Sequence, residues 1–570
     1  MKNQLVARIL SEIAELLALD GVPFKPQAYR RAAQTIESLS EPIEDLVDAG
    51  RHADLPGVGD AIAKKIVEIV ETGKLQYHEE LKAKLPIDLF ALTRVDGIGP
   101  NTAKLLYEEL GVRTLSDLAR VAQEGKVRAV KGLGAKTEEK TLRGLAETQR
   151  AEGRISLGHA LPLANELIDR LRDSDLFARI EVAGSLRRGR ETIGDLDLLA
   201  VARRPASAAA AAEAFVSLRD VEEVLARGEK KASVRLSNGV QVDLRIVPGE
   251  SFGAAMQYFT GSKDHNIALR KRAVARDWKL NEYGLYDSDD HRLAGDEEAE
   301  IYRALDLQFV PPELREDRGE LEAAEKGSLP ALVEFGDLRG DLHIHTDWSD
   351  GRASLEEMIA AARGRNLRYI AITDHAKFAE VIGGLTPDRL VRQIEKIQRI
   401  NASDHRIRVL AGIEANIGPD GSLDVADKLL ARLDIVIASV HSHFRQSRAE
   451  MTARLCRACE NEHVDVLGHP TTRKIGERPP IDVDWDVVFE TAAERKTALE
   501  VNANPIRLDL NAELIRRALT AGVKLSIGTD AHTADHLDFL RFGVLTARRG
   551  WATPESILNT RPVEDLAPAG

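Results

Sequence analysis

Beyond residue 340, residues able to ligate a metal recur at the ends of apolar runs. The series opens with Gly340-Asp341-Leu342-His343-Ile344-His345-Thr346-Asp347-Trp348-Ser349-Asp350. It continues with Thr373-Asp374-His375, Gly412-Ile413-Glu414, Ser439-Val440-His441-Ser442-His443, Gly468-His469-Pro470 and Thr529-Asp530-Ala531-His532. Ten of the 15 histidines lie in this part of the chain, each motif at the same point of a structural repeat. Neutral imidazole with carboxylate is the ligand set of Zn, Mn or Fe, and several such sites together suit metal-assisted hydrolysis.

A second chemistry is written in the middle of the chain. Asp195 and Asp197 sit two residues apart in the β-like run Gly194-Asp195-Leu196-Asp197-Leu198-Leu199-Ala200-Val201, so both carboxylates point to one face. Side by side they repel unless a cation lies between them. Asp243 follows in the alternating run Val240-Gln241-Val242-Asp243-Leu244-Arg245-Ile246. Ahead of the pair, Gly184-Ser185 opens a turn whose amides and hydroxyl can hold phosphate oxygens, with Arg188 close behind. Three acids on adjacent strands beside such a turn fit a two-metal phosphoryl-transfer centre. A lone Asp-x-Asp would read as two surface acids; the full set does not.

The first 150 residues carry a third pattern. Leu55-Pro56-Gly57-Val58-Gly59, Val95-Asp96-Gly97-Ile98-Gly99 and Val130-Lys131-Gly132-Leu133-Gly134 each place an apolar residue between two glycines and a lysine early in the helix that follows. Glycine permits φ > 0 and close approach of the backbone to a ligand, and amides at a helix N-terminus face an anion. This is the helix-hairpin-helix pattern, which grips a nucleic-acid phosphate without reading bases. One copy could be a helix-terminating glycine; three within so short a stretch point to DNA. The net charge of −13 argues against a nucleic-acid binder only as an average, because acids and bases nearly balance over residues 1–150.

These residues need a frame. At 570 residues the chain exceeds one core. In the last third, seven apolar runs alternate with helical stretches: 342–345, 369–373, 409–414, 435–440, 464–468, 498–502 and 524–528. Near-continuous apolar strands separated by helices mean a parallel sheet. Seven units suggest a closed barrel with its active site at the C-terminal strand ends, where the motifs fall. The alanine-rich 203–218 reads as a helix packed on the preceding sheet. No run is long and apolar enough for a membrane span, and the N-terminus reads as an amphipathic helix and not a signal peptide. Cys456 and Cys459 lack the second pair a zinc knuckle needs and read as ordinary thiols.

Residues 1 to 315 resemble the family X DNA polymerases. Beyond the Gly-Ser turn and the three acids, Tyr258-Phe259-Thr260-Gly261-Ser262 is similar to the family's nucleotide-pocket motif, and Asn281-Glu282-Tyr283 to a later thumb motif. The resemblance implies that Asp195 and Asp197 bind two Mg or Mn ions. Asp243 then binds the catalytic ion and helps deprotonate the primer 3′-hydroxyl. Gly184, Ser185, Arg188 and Gly189 hold the β and γ phosphates of a dNTP, with Arg154 a further triphosphate arginine. Tyr258, Gly261, Asn266 and Arg270 line the nucleotide pocket. Phe24-Lys25-Pro26-Gln27-Ala28-Tyr29 is similar to the helix lining the family's 5′-phosphate pocket, which makes Lys25 and Tyr29 DNA contacts, and Lys65 falls at the Schiff-base position of its lyase. Ala61 and Phe24 depart from that pattern, so Lys65 is either the lyase nucleophile or a phosphate contact. Gly57, Gly59, Gly97, Gly99, Gly132 and Gly134 carry the backbone contacts to DNA, with a monovalent cation at the turns.

The last third resembles the PHP (polymerase and histidinol phosphatase) superfamily of metal-dependent phosphoesterases. That likeness makes His343, His345, Asp350, His375, Glu414, His441, His469, Asp530 and His532 ligands of up to three Zn, Mn or Fe ions. His443 then lines the substrate entrance and Asp374 orients a ligand.

The expected architecture is multidomain. Residues 1–85 form a lyase-like helix-hairpin-helix domain and 86–148 a fingers-like one. An α+β nucleotidyltransferase palm spans 149–250, an α/β thumb 251–320 and a linker 321–336. A distorted (β/α)7 barrel fills 337–570. The expected activity is gap-filling synthesis on gapped or primer-template DNA, coupled to 3′–5′ exonuclease or other 3′-end processing by the barrel. A monomer in the cytoplasm, associated with the nucleoid and not with membrane, is expected. The alternatives are a barrel that serves only as a metal-stabilised scaffold, or a small-molecule phosphatase.

Overall fold

The computed structural model describes residues 2–37, 43–55, 57–93, 95, 97–151, 153–204, 207–376 and 383–566; Pro56 and Asp96 of the first two turns lie outside them. Two compact units result, Met1–Glu152 and Gly153–Gly570. Among the described residues no helix is long and apolar enough to cross a membrane.

The first unit is helical. Its three Gly-x-Gly turns share one build: Gly57, Gly97 and Gly132 have φ of 78°, 88° and 91°, the left-handed region in which a side chain would be strained. Each turn feeds a long helix, Asp60–Thr72, Pro100–Leu110 and Ala135–Ala151. The element before each turn is short: Arg51–Asp54, Leu89–Thr93 and Val127–Ala129. Val58 and Ile98, between the glycines, are buried and pin the turns to the apolar core.

The second unit holds three sheets that matter. A five-stranded sheet orders Phe177–Val182, Asp195–Ala202, Gln241–Ile246, Lys231–Leu236 and Val221–Arg227, with only the second and third parallel. The alanine-rich segment becomes the helix Ala208–Val216, which buries Ala211, Ala212, Phe215 and Val216 on that sheet. Next come Lys279–Asn281, Gly284–Tyr286 and Arg292–Ala294, an antiparallel meander packed by flanking helices. The α/β thumb expected there therefore resolves into segregated helices and strands, because turns this short cannot carry a helical crossover between parallel strands. Part of the expected linker also belongs here: Glu320–Glu325 is a helix, and its Leu321 and Ala324 close the thumb core.

Seven parallel strands then follow in sequence order: Gly340–Ile344, Tyr369–Ile372, Arg408–Asn416, Ile435–Ser439, Val466–Leu467, Ala498–Asn502 and Leu525–Gly528. A parallel bridge from Ile344 to Ala531 brings the last strand back to the first, which nearly closes the barrel. Consecutive strands of one parallel sheet need helical crossovers, and these helices bury the outer apolar face. The barrel does not stand apart from the palm. Its Leu508 and Phe542 are fully buried members of the palm's apolar cluster. Pro505 lies against Gly158 so closely that a Cβ there would come within 2.3 Å of it. Arg473 of the barrel donates to both carboxylate oxygens of Glu191 in the palm, at 3.1 and 2.8 Å.

Candidate active sites

The palm acids meet by strand register. Asp197 and Asp243 are direct partners on neighbouring parallel strands, and Asp195 opens the first of these two residues earlier. Burial, with the charges of Asp195 and Asp243 added, pushes the Asp197 carboxyl up to about 7. Such mutual repulsion is what divalent cations relieve. Gln241 Nε2 donates to Asp243 Oδ1 at 3.0 Å, and Lys231 Nζ lies 3.4 Å from Oδ2, which orients this carboxylate.

Gly184 closes the site from above. It has φ 61°, and a Cβ on it would lie 2.0 Å from Asp197 Oδ2. Only glycine lets the turn, with half-buried Ser185, approach the acids this closely. Arg188 stands at the turn's end, its Nε donating to Glu316 Oε1 at 3.2 Å and its Nη1 to the Thr260 carbonyl at 2.5 Å. Arg154 binds the Thr192 hydroxyl at 2.9 Å and also its carbonyl. Gly189 is buried, with its α-carbon facing Leu545 and Arg549 of the barrel's last helix and its amide donating to the Leu186 carbonyl at 2.9 Å. The glycine beside the Arg154 guanidinium is Gly194, which motif spacing alone did not single out.

Across the cleft, Asn266 donates to the Tyr258 carbonyl at 2.7 Å and accepts from Gln257 at 2.8 Å. The Tyr258 and Phe259 rings meet edge to face at 5.1 Å, and the Arg270 guanidinium lies 6.0 Å over Tyr258. Gly261 packs on Arg188. Beneath them a buried ion network holds the helix carrying this motif. Arg187 and the fully buried Arg315 both bind Glu298. Burial works against the Glu298 charge, but the two arginines outweigh it and bring its carboxyl to about 2.

In the helical unit, Lys65 Nζ donates to the Ala61 carbonyl at 3.3 Å and lies 5.1 Å from the centre of the Tyr77 ring. Tyr77 stacks on Tyr29 at 6.4 Å and so stands between Tyr29 and Lys65, while Lys25 is exposed at the start of its helix.

The barrel brings all nine motif residues into one cluster. Glu414 is the hub: His441 Nε2 and His469 Nε2 lie 3.2 and 3.0 Å from Oε1. His375 Nδ1, His343 Nε2 and His345 Nε2 lie 3.0, 3.5 and 3.5 Å from Oε2. A second set gathers His345, Asp350, His375 and His532, and a third His343, His345 and Asp530. Both Glu414 oxygens, both His345 ring nitrogens and His343 Nε2 are buried without hydrogen-bond partners. Orphaned polar atoms are costly away from water, and a carboxylate between imidazole groups is suited to bridging cations, so the donor set fits a metal cluster. Burial, reinforced by the neighbouring His532 and His375, pushes His345 down to about 4, which keeps it in the neutral ligand form.

Several supporting side chains escape the motif reading. Glu500 Oε1 lies 2.6 Å from His343 Nδ1, and Oε2 accepts from the His469 amide. Asn416 Oδ1 lies 2.5 Å from His441 Nδ1, and Arg507 Nε lies 3.5 Å from Asp530. An acid or amide inside an otherwise apolar strand is the signal that could have found the first two, since burying one requires a partner. Asp374 accepts from Thr346, Ser349 and Gln393. It braces the loop leading to Asp350 and touches no imidazole through these bonds. His443 is exposed, with its Nδ1 on Ser442 Oγ.

Family models match along the chain. Residues 1–75 match a helix-hairpin-helix domain and 90–147 a SAM-like helix-hairpin-helix tandem. Residues 255–316 match the DNA polymerase beta thumb and 341–504 the PHP domain. The chain is 38% identical over 570 residues to a DNA polymerase/3′-5′ exonuclease PolX of Bacillus subtilis, covering 99% of each chain. Part of it also resembles probable phosphatases. One from Edwardsiella ictaluri is 31% identical over 232 residues, 39% of this chain and 90% of that protein. One from Caldicellulosiruptor saccharolyticus is 31% identical over 205 residues, 34% of this chain and 80% of that protein.

Proposed function

Since the chain belongs to the bacterial family X DNA polymerases that carry a PHP domain, we propose that it extends primer 3′ ends across short gaps during DNA repair and that its barrel processes 3′ ends as a 3′–5′ exonuclease. The observation that carries this reading is the presence, in one compact unit, of two separate carboxylate centres: three acids in register in the palm and nine convergent ligands in the barrel.

In the palm, Asp195, Asp197 and Asp243 hold two divalent cations, Mg or Mn. These supply charge stabilisation on the triphosphate when bound. Asp243, oriented by Gln241 and Lys231, takes the proton of the primer 3′-hydroxyl as it attacks the α-phosphorus, and pyrophosphate leaves. Gly184 and Ser185 offer hydrogen bonds to the β and γ phosphates, and Arg188 and Arg154 neutralise them. Tyr258, Gly261, Asn266 and Arg270 line the nucleotide pocket, with Tyr258 beside the sugar. The glycine turns, with Lys25 and Tyr29, hold DNA through its phosphates. A monovalent cation at those turns and a lyase role for Lys65 belong to the same reading.

In the barrel, His343, His345, Asp350, His375, Glu414, His441, His469, Asp530 and His532 hold up to three Zn, Mn or Fe ions. When bound they acidify water at neutral pH and stabilise charge on phosphorus. Glu500 and Asn416 fix which nitrogen of His343 and His441 faces the cluster. A structural role alone does not require so many ligands with unpaired atoms facing one point. The protein works as a monomer on gapped or primer-template DNA in the cytoplasm.

The test is incubation with 5′-labelled gapped DNA, with and without dNTPs, over a Mn titration. Extension that requires Asp243 and shortening that requires His343 are expected. Extension surviving Asp243→Ala would end the polymerase reading. Shortening unchanged in a folded His343→Ala protein would make the barrel a scaffold.

A further inference from the structure

The palm's phosphate turn is built partly from the barrel. Arg549, the last residue of the helix Leu540–Arg549, is nearly buried. Its Nη1 donates to the Arg188 carbonyl at 2.6 Å and to Glu316 Oε1 at 3.1 Å. The same carboxylate takes Arg188 Nε at 3.2 Å and lies 3.5 Å from Arg190 Nη1. One thumb carboxylate therefore faces three guanidinium groups, two from the turn and one from the barrel. Burial disfavours the Glu316 charge, yet Arg549, then Arg188 and Arg190, hold its carboxyl below the usual range.

Arg188 must serve two masters. An incoming triphosphate and Glu316 compete for one guanidinium, and the thumb carboxylate is always present. A carboxylate already satisfied by a second buried cation pulls less strongly on the first. We propose that Arg549 of the barrel is a positioning residue for nucleotide incorporation: it shares Glu316 and so weakens that carboxylate's hold on Arg188 Nε, and it fixes the Arg188 backbone, so that a triphosphate can compete for the Arg188 side chain. It acts through Arg188 and Glu316, and it makes nucleotide affinity in the palm depend on the barrel's last helix. The proposal rests on the polymerase reading above.

The experiment measures single-nucleotide gap filling against dNTP concentration for wild type, Arg549→Met, Arg549→Lys, Glu316→Gln and Arg549→Met with Glu316→Gln. Thermal melts and Mn-dependent hydrolysis of bis-p-nitrophenyl phosphate report the fold and the barrel. Arg549→Met is expected to raise the dNTP KM about tenfold, the size of one charge-assisted hydrogen bond, with kcat and phosphodiester hydrolysis retained. Arg549→Lys should recover part of this loss. Adding Glu316→Gln to Arg549→Met removes the competitor and should restore KM. An unchanged KM in Arg549→Met, or a combined loss of kcat and KM that Glu316→Gln does not relieve, overturns the proposal. A wild-type protein that fills no gap overturns the polymerase reading instead.

Discussion

Replacing Glu500 with Gln should weaken metal binding in the barrel without touching the palm. The Glu500 carboxylate lies 2.6 Å from His343 Nδ1 inside a fully buried pair. It fixes the proton on Nδ1 and turns Nε2 toward Glu414 and Asp530. A full unit charge at about 4 Å would be worth about 4 kcal/mol at an effective dielectric of about 20. Only part of a unit charge appears on a coordinated imidazole, and glutamine keeps one acceptor. Losses of about 10- to 100-fold in metal affinity are typical for such partners, or roughly 1.4–2.7 kcal/mol. The assay is the Mn concentration for half-maximal hydrolysis of bis-p-nitrophenyl phosphate, with gap filling on the same preparation as the control. The half-saturation point should rise at least tenfold while gap filling holds. A folded variant with an unshifted Mn curve would refute the argument that the buried charge tunes His343.

Three further outcomes follow from the geometry. Asp197 is protonated up to about pH 7 in the fold but only to about 3.9 when unfolded, so without metal its charge costs stability increasingly as pH rises between those values and fully above them. In chelator, Asp197→Asn should therefore melt higher than wild type at pH 8 and equally at pH 4 by calorimetry; a constant difference would contradict the assignment. Gly184→Ala places a Cβ against Asp197 and should cut gap filling on the order of 10²-fold, as about 1 Å of misplacement does, while barrel hydrolysis persists. Arg315→Met leaves Glu298 with one arginine in a buried site and should cost about 3–5 kcal/mol in denaturant unfolding of the unit that contains it, part of which Arg315→Met with Glu298→Gln regains.

Much of the barrel was legible because its strands are buried on both faces. Runs such as Ile435–Ser439 and Ala498–Asn502 are buried throughout and mostly apolar, so their number and spacing survive in the sequence, and the ligands stand at their ends. Asp197 and Asp243 were legible for a related reason, each being an acid with apolar neighbours on both sides in its strand. What escaped depends on partners far apart in the chain. Glu500 meets His343 157 residues away, and no local period records that. Gly189 and Gly194 look equally permissive in sequence, and only the folded chain sets one beside the barrel's last helix and the other beside the Arg154 guanidinium. The segment after 320 looked like a connector because its two apolar anchors, Leu321 and Ala324, make too short a pattern to announce a helix.

The burial of Leu508 and Phe542 in the palm's core bears on how this chain can be cut or rearranged. A shortened gene ending after the thumb would encode a palm with two holes in its interior, each the size of a large side chain and open to water, so losing the nuclease would also damage the polymerase. Conversely, a barrel expressed alone would display Leu508 and Phe542 as a sticky patch. Selection on either activity therefore preserves the fold of both halves, even where point changes at one set of ligands silence its chemistry.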